Sequence, residues 1–403
     1  LAALEAVLDS LSREDVDEIL VPMIATGKEP IGSMGDTARP AILSDEPRSF
    51  FDYFYQSFAQ VTNPPLDHLR ERLVTDLWND LGRRPNVFEP KTLLPPAPGL
   101  EATSPVLLPE ELEYVKQAGA NSEHELAFES VEISTTFARV RGPEGLREAL
   151  DELGQKVLAA IDGGCSIIVL SDRLAKYERP PIPSLLALRA ADWALTDAGR
   201  RLDASVILDA GDVRTTHQLS ALLSFGAAAV CPYLAFEVAT THEHKLLGDI
   251  SVDDKNRRLK TAFEEGLLKI MSKMGISTVR GYQNSKLFFP LGLSRALLDR
   301  YFAGFESVIG GLDLEDFAGA LLERTEAFRP GSNVELIDTY QLREQRKGLR
   351  GERHSMTAGL TKRVHAFVED QELDFHRWPD YEAYLAEAKT SHPVSLRHLL
   401  RLK

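Results

Sequence analysis

Asp172, Asp209, Asp212 and His217 are the residues of this chain whose types and spacing could do acid/base or metal chemistry. Each falls just past a short apolar run or on the segment that follows one. Ser166-Ile167-Ile168-Val169-Leu170-Ser171 precedes Asp172 and Arg173, and Ser205-Val206-Ile207-Leu208 precedes Asp209 and Asp212. Clustered carboxylates raise one another's pKa, and an imidazole beside them would complete an acid/base pair or a metal site. Arg214 stands in the same stretch and could balance their charge. Carboxylates just past strands also cap helices and pair with arginine, and that is their commoner use. His217 shares its predicted helix with Leu219, Leu222 and Leu223, so its ring is expected to pack or to cap. His242-Glu243-His244 has no second cluster at metal-ligand spacing and reads as a solvated loop.

The elements that must position these groups are repeated β-α units. A helix over 144–161, a strand over 166–171, a helix over 184–198 closed by Gly199, a strand over 205–209, a helix near 215–224 and a strand over 227–231 follow in turn. A helix near 253–274 and a strand over 276–280 complete the series. Strands apolar on every residue are those covered on both faces, so the units predict a parallel sheet with right-handed crossovers. An α/β barrel and an open doubly wound sheet both fit. In either, Asp172, Arg173, Asp209, Asp212, Tyr233, Glu237, Ser277 and Thr278 lie at the C-terminal ends of strands, the rim where such folds carry functional groups.

Residues 1–150 read as a helical, proline-punctuated segment. Phe50, Phe51, Phe54 and Phe58 suggest a helix that begins at Pro47 and ends at Pro64 and Pro65. Leu66, Leu69, Leu73, Leu77 and Leu81 suggest a second, closed by Gly82. The prolines between Pro85 and Pro109 suggest an extended connector. The last seventy residues, with Arg343, Arg346, Lys347, Arg350 and Arg353, suggest a linker carrying one or two helices.

Composition removes several function classes. Asp and Glu (61) outnumber Lys and Arg (46), and the net charge of -15 argues against nucleic acid or an anionic membrane as partner. No apolar run approaches the roughly 18 residues that span a bilayer, so a cytoplasmic protein is expected. The chain begins at Leu1 without an initiator Met and reads as an excised segment. Cys165 and Cys231 lie far apart in apolar surroundings, unlike a redox pair or a cluster-binding set, and are expected to be small buried hydrophobes. Neither G-x-x-x-x-G-K-[ST], G-x-G-x-x-G nor G-x-S-x-G occurs, which takes away the usual signatures of nucleotide and serine-hydrolase chemistry.

Three blocks carry a family resemblance: Thr26-Gly27-Lys28-Glu29-Pro30-Ile31-Gly32-Ser33-Met34-Gly35-Asp36, Phe58-Ala59-Gln60-Val61-Thr62-Asn63-Pro64-Pro65-Leu66-Asp67, and Lys269-Ile270-Met271-Ser272-Lys273-Met274-Gly275-Ile276-Ser277-Thr278. Together with Leu170-Ser171-Asp172-Arg173, Pro181-Ile182-Pro183-Ser184 and Gly226-Ala227-Ala228-Ala229-Val230-Cys231, they resemble the central domain of glutamate synthase over roughly residues 14–330. Gly351-Glu352-Arg353-His354 and Leu396-Arg397-His398-Leu399-Leu400 resemble the segment leading into that family's flavin domain, so 331–403 is expected to be a linker toward it. The resemblance implies a parallel β/α barrel-like domain, similar to an FMN-binding barrel but without FMN, and with no cofactor of its own. It implies that FMN and an iron-sulfur cluster belong to a synthase domain elsewhere in the parent chain, that glutaminase chemistry belongs to another, and that both are partners of this one. It also implies no catalysis here, and a part in walling an ammonia tunnel near Ser33, Met34, Thr62 and Asn63. A free-standing α/β enzyme or ligand-binding protein using the Asp172, Asp209, Asp212 and His217 rim is the alternative. The chain departs from the family pattern at Asp192-Trp193-Ala194-Leu195, where clustered histidines are usual, at Gly281-Tyr282-Gln283-Asn284, where a Ser-Tyr-Arg-Gly-type run is, and at Cys231, which replaces Asn.

Overall fold

The computed structural model describes residues 11–30, 38–45, 48–57, 67, 70–85, 88, 99–118 and 129–330, with 352, 354, 361, 362, 365, 379, 383 and 393–396 beyond them. Ahead of the main sheet the chain is built from short pieces. Helix α1 (Val21–Thr26) continues a π-helical turn, and strand β1 (Phe54–Gln56) continues a 3-10 turn at Phe50–Tyr53. Helix α2 (Glu71–Val74) is a single turn. Strands β2 (Asn79–Gly82) and β3 (Gly99–Ala102) pair antiparallel, and α3 (Pro109–Ala118) starts on a proline. The main unit then runs β4 (Glu129–Ser134), α4 (Gly142–Asp162), β5 (Cys165–Ser171), α5 (Ser184–Asp197), β6 (Ser205–Asp209), α6 (Thr216–Ser224) and β7 (Ala229–Cys231). Helices α7 (Tyr233–Thr241), α8 (Val252–Met274) and α9 (Val279–Tyr282), strand β8 (Phe288–Pro290) and helices α10 (Arg295–Tyr301) and α11 (Leu314–Arg324) follow.

The four strands pair in parallel in the order β4-β5-β6-β7. Strand neighbours in space are neighbours in sequence, and α4 packs on α5 and α5 on α6. The crossover helices therefore share one face of the sheet, the winding of a barrel wall; a doubly wound sheet reverses its strand order and covers both faces with crossovers. Beyond β7 the backbone at Val106 adds one more parallel bridge, with Leu107 N–H donating to the Val230 carbonyl at 2.9 Å. The register pairs Ser171 with Asp209 and Asp209 with Cys231, so three side chains that end their strands stand in a row.

Local sequence accounts for the long elements. In α4, Leu146, Leu150, Leu153, Val157 and Ile161 recur every three or four residues and are buried, each stabilising the fold by roughly 1.5–3 kcal/mol. Pro143 sits in its first turn, where a missing N–H costs nothing. Helix α8 starts at Ser251, whose side chain accepts from the Asp254 N–H, and stops at Gly275 with φ 73. One continuous cluster of buried side chains runs from Leu11 to Leu321. The N-terminal pieces thus share the core of the sheet.

The structure corrects several expectations. Over its described residues, 48–57, the helix predicted from Pro47 is instead the 3-10 turn and β1, because Phe54, Tyr55 and Gln56 find a distant antiparallel partner in β8. Phe50 and Phe54 join Phe225, Phe302 and Phe317 in an aromatic cluster, with Phe50 and Phe317 centroids 4.9 Å apart. Leu66 and Leu69 of the leucine repeat lie outside the described residues, and the rest of it, over 70–81, forms α2, with Leu73 exposed, and then β2. There Asn79 Nδ2 donates to the Ala228 carbonyl at 2.7 Å, and the Gly82 N–H donates to Ser205 Oγ. The strand predicted over 276–280 is a single bridge, Asp76 to Thr278, followed by α9. The first strand of the parallel sheet is β4. Cys231 is buried as expected, but Cys165 is only half-buried at the start of β5.

Candidate functional site

The C-terminal rim of the sheet brings three of the four candidate residues together. Asp209 ends β6 with its side chain fully buried, and Arg173 grips it bidentately, Nε to Oδ2 at 2.6 Å and Nη2 to Oδ1 at 3.0 Å. Ser171 Oγ donates to the same Oδ2 at 3.0 Å. The Arg173 guanidinium lies 4.0 Å over the Tyr233 ring, so the cation is held by a carboxylate on one side and a π-face on the other.

Asp172 is 3% exposed and receives the Gly211 N–H at 3.0 Å. The Tyr233 hydroxyl also bonds to it. Burial, then the charge of Asp212, push its pKa up to about 8 against the pull of those two donors. The same burial and the Asp172 charge raise the Tyr233 phenol far above its ordinary value. Asp212 Oδ2 accepts the Ser184 N–H at 3.0 Å and so caps α5, while burial raises its own pKa against the nearby charges of Arg214 and Arg324. Cys231, the third member of the strand-end row, has its thiol pushed well up by burial and by Asp209.

His217 does not join them. Its Nε2 lies 3.5 Å from the Phe51 carbonyl and its ring meets Phe288 edge-on at 5.7 Å, so it packs between α6 and the N-terminal aromatic cluster. The imidazole-plus-carboxylate site is thereby corrected to a carboxylate group alone, because the first turn of α6 faces away from the strand ends. Arg214 turns to Asp15 at 3.1 Å. Glu237 lies on α7, and Ser277 and Thr278 sit at the Asp76 bridge and the α9 cap instead of ending a strand. His242 lies 3.6 Å from Asp17, and His244 Nδ1 accepts the Leu246 N–H. Among the described residues no three His, Cys, Asp or Glu side chains are grouped to hold a metal. Chemically, Asp209 and Arg173 are spent on one another, Asp172 is held by neutral donors with its pKa raised, and Asp212 Oδ2 caps a helix while its Oδ1 is buried without a partner among the described residues.

Ser33, Met34, Thr62 and Asn63 lie outside the described residues. The residues that sequence reasoning missed are those paired across long distances. Asp192, at one departure from the family pattern, bridges Arg189 at 2.6 Å and Arg201. Gln283, at another, accepts from Arg84 at 2.7 Å. Glu352, expected in a linker, is buried and accepts from Arg39, Arg48 and Ser44. No local period announces such pairs. A groove of about 660 Å³, lined in part by Glu132, Glu148, Glu152, Lys156 and Arg179, lies beside the edge strand β4. No helix among the described residues is long and apolar enough to cross a membrane.

Comparison with known proteins adds the family. The chain is 34% identical over 406 residues to the ferredoxin-dependent glutamate synthase 2 of Synechocystis sp., covering 96% of this chain and 25% of that protein. It is 37% identical over 305 residues to the glutamate synthase [NADPH] large chain of Bacillus subtilis, covering 76% of this chain and 19% of that one. The chain thus spans about a quarter or less of the length of these relatives. Among solved structures, the flavin-binding domain of baker's yeast flavocytochrome b2 aligns with 63% of this chain and 80% of its own, at 11% identity and a TM-score of 0.34. The glutamate synthase central domain pattern matches residues 6–294, and the chain belongs to that family.

Proposed function

We propose that this chain is the non-catalytic connecting domain of a glutamate synthase. It holds a glutaminase domain and an FMN and iron-sulfur synthase domain in place and forms part of the passage along which ammonia moves between them, in the making of L-glutamate from glutamine and 2-oxoglutarate. Residues 331–403 lead toward the synthase domain. The observation that carries the reading is the state of the rim. Where an α/β enzyme keeps its reacting groups, Asp209 is held by Arg173, Asp172 by Gly211 and Tyr233, and Asp212 by the helix it caps. Both oxygens of Asp172 and of Asp209 are engaged within the protein, and of these carboxylate oxygens Asp212 Oδ1 alone is buried with no partner among the described residues.

Ser33, Met34, Thr62 and Asn63 are the residues proposed for the passage wall. Ammonia needs a narrow path lined by groups that do not protonate it, and none of these side chains titrates near neutral pH. Met can fill or clear a gap by changing rotamer. The test is Met34→Trp and Thr62→Trp in the full-length glutamate synthase that carries this chain. Glutamate formation from glutamine is expected to fall while formation from added ammonia is largely kept. Equal loss of both rates, with a matching fall in melting temperature, overturns the assignment.

A further inference from the structure

The opposite end of the sheet, at the N-terminal ends of β6 and β7, gathers guanidiniums. Arg83 and Arg84 follow β2, Arg200 and Arg201 precede β6, and Arg280 lies in α9. Four of these five have carboxylate partners: Arg83 with Asp203 at 3.8 Å, Arg200 with Asp162 at 2.9 Å, Arg201 with Asp192, and Arg280 with Asp80 at 2.9 Å. Arg84 has none among the described residues. Its Nη2 donates to Gln283 Oε1 at 2.7 Å, its backbone N–H donates to the Leu202 carbonyl at 2.8 Å, and its other guanidinium donors have no protein acceptor there. Gln283 is itself fixed, because its Nε2 donates to the Ala227 carbonyl at 2.8 Å, and so it sets the plane of the Arg84 guanidinium.

A half-buried cation with no carboxylate in contact is unfavourable, and two further guanidiniums make it more so, while Asp80, which is paired to Arg280, offsets only part of this. Burial first, then the charges of Arg201 and Arg280, hold the Arg84 pKa down to about 10. A planar fork with unused donors, oriented by a fixed neighbour and standing in a positive field, matches the geometry of an oxyanion. We infer that Arg84, flanked by Arg201 and Arg280, is an oxyanion-binding site that takes a carboxylate, supplied by a small soluble dicarboxylate or by an acidic side chain of an adjoining domain in the longer protein. The site is independent of the ammonia passage and stands or falls without it.

The experiment titrates the 403-residue chain calorimetrically with glutarate, in chloride buffer at constant ionic strength, beside an Arg84→Gln variant. Saturable binding that weakens about tenfold or more in the variant, with an unchanged or higher melting temperature, supports the site and assigns it to a free anion. The second arm compares hydrogen exchange at residues 82–85 in this chain and in the full-length protein. No glutarate binding, together with slower exchange in the full-length protein that Arg84→Gln abolishes, supports the site and assigns it to a side chain of a neighbouring domain. No binding and no difference in exchange overturns the inference.

Discussion

Glu352 and Arg39, 313 residues apart, form a hydrogen-bonded ion pair of 2.9 Å in which both side chains are buried. Arg48 Nη1 donates to the other carboxylate oxygen at 3.1 Å and Ser44 Oγ donates to that same oxygen at 2.6 Å, while Ala38 and His354 form an antiparallel bridge. Burial works against the Arg39 charge, but Glu352 and Asp45 more than offset it and leave its pKa above the ordinary value. Glu352 and His354 are thus both tied to the segment that starts at Ala38. Removing one partner of a buried pair strands the others, so Glu352→Ala should cost about 3–5 kcal/mol in urea unfolding, whereas Glu352→Gln, which keeps an acceptor oxygen, should cost less. A loss below about 1 kcal/mol for the alanine variant would make the clamp an incidental contact.

The difference between legible and illegible parts of this chain follows from where each element finds its partner. Helices α4, α5, α6 and α8 and strands β5, β6 and β7 each carry their own period or an unbroken apolar run, and the structure places them close to the expected bounds. The sequence of β1, Phe54-Tyr55-Gln56, belongs equally to a helix face or a strand until Phe288 and Pro290 are beside it. Strand β4, Glu129-Ser130-Val131-Glu132-Ile133-Ser134, ends the described sheet and mixes charged, polar and apolar residues, so it carries no unbroken apolar run to announce it. At the rim, Asp172, Asp209 and Asp212 were legible as residues just past apolar runs, since each follows or ends a strand whose period shows in the sequence. The direction of His217 was hidden, because it depends on how α6 is rotated against the aromatic cluster.

Asp172 should make stability depend on pH with a definite sign. Its folded pKa of about 8 lies above its unfolded value, so between roughly pH 4 and 8 the folded state keeps a proton that the unfolded state has lost. Its contribution is complete below the unfolded pKa and is lost as the pH rises through 8. Asp172→Asn removes the titration, and between pH 6 and 8 the native chain should lose up to about 2 kcal/mol more than the variant, the neighbouring Asp212 being coupled to it. Parallel stability curves for the two proteins over that range would show that Asp172 is ionised throughout.

Gly226 precedes the last sheet strand with φ +112, and a Cβ there would sit 2.9 Å from Asp192 Oδ1 and 3.1 Å from Arg201 Nη2. The Gly226 carbonyl meanwhile accepts from Arg201 Nη2 at 2.8 Å. Gly226→Ala therefore combines backbone strain with displacement of the Asp192 ion group and should destabilise by roughly 2–4 kcal/mol. Thermal unfolding beside Gly310→Ala is the control, since Gly310 has open space where its Cβ would go. Equal melting temperatures for the two variants would refute the argument.

The same rim geometry predicts that the chain takes up no FMN. A flavin phosphate docked on an α/β rim needs free N–H groups at a helix N-terminus and no competing carboxylate. At α5 the Ser184 N–H is already donated to Asp212, and at α6 the Gln218 N–H is donated to Thr215 Oγ1 in a capping box. Asp209 adds a buried carboxylate between them, and its Arg173 partner is committed to it in both of its hydrogen bonds. A phosphate there would have to displace Asp212 from its cap and face Asp209 as well. The chain should accordingly leave gel filtration colourless after incubation with FMN. Asp212→Ala, which frees the Ser184 N–H, should still bind none, because the buried Asp209 carboxylate remains. A flavin band at near one FMN per chain in the native protein would show that the rim loops rearrange to admit an anion, and that these capping contacts are not the fixed feature they are taken to be.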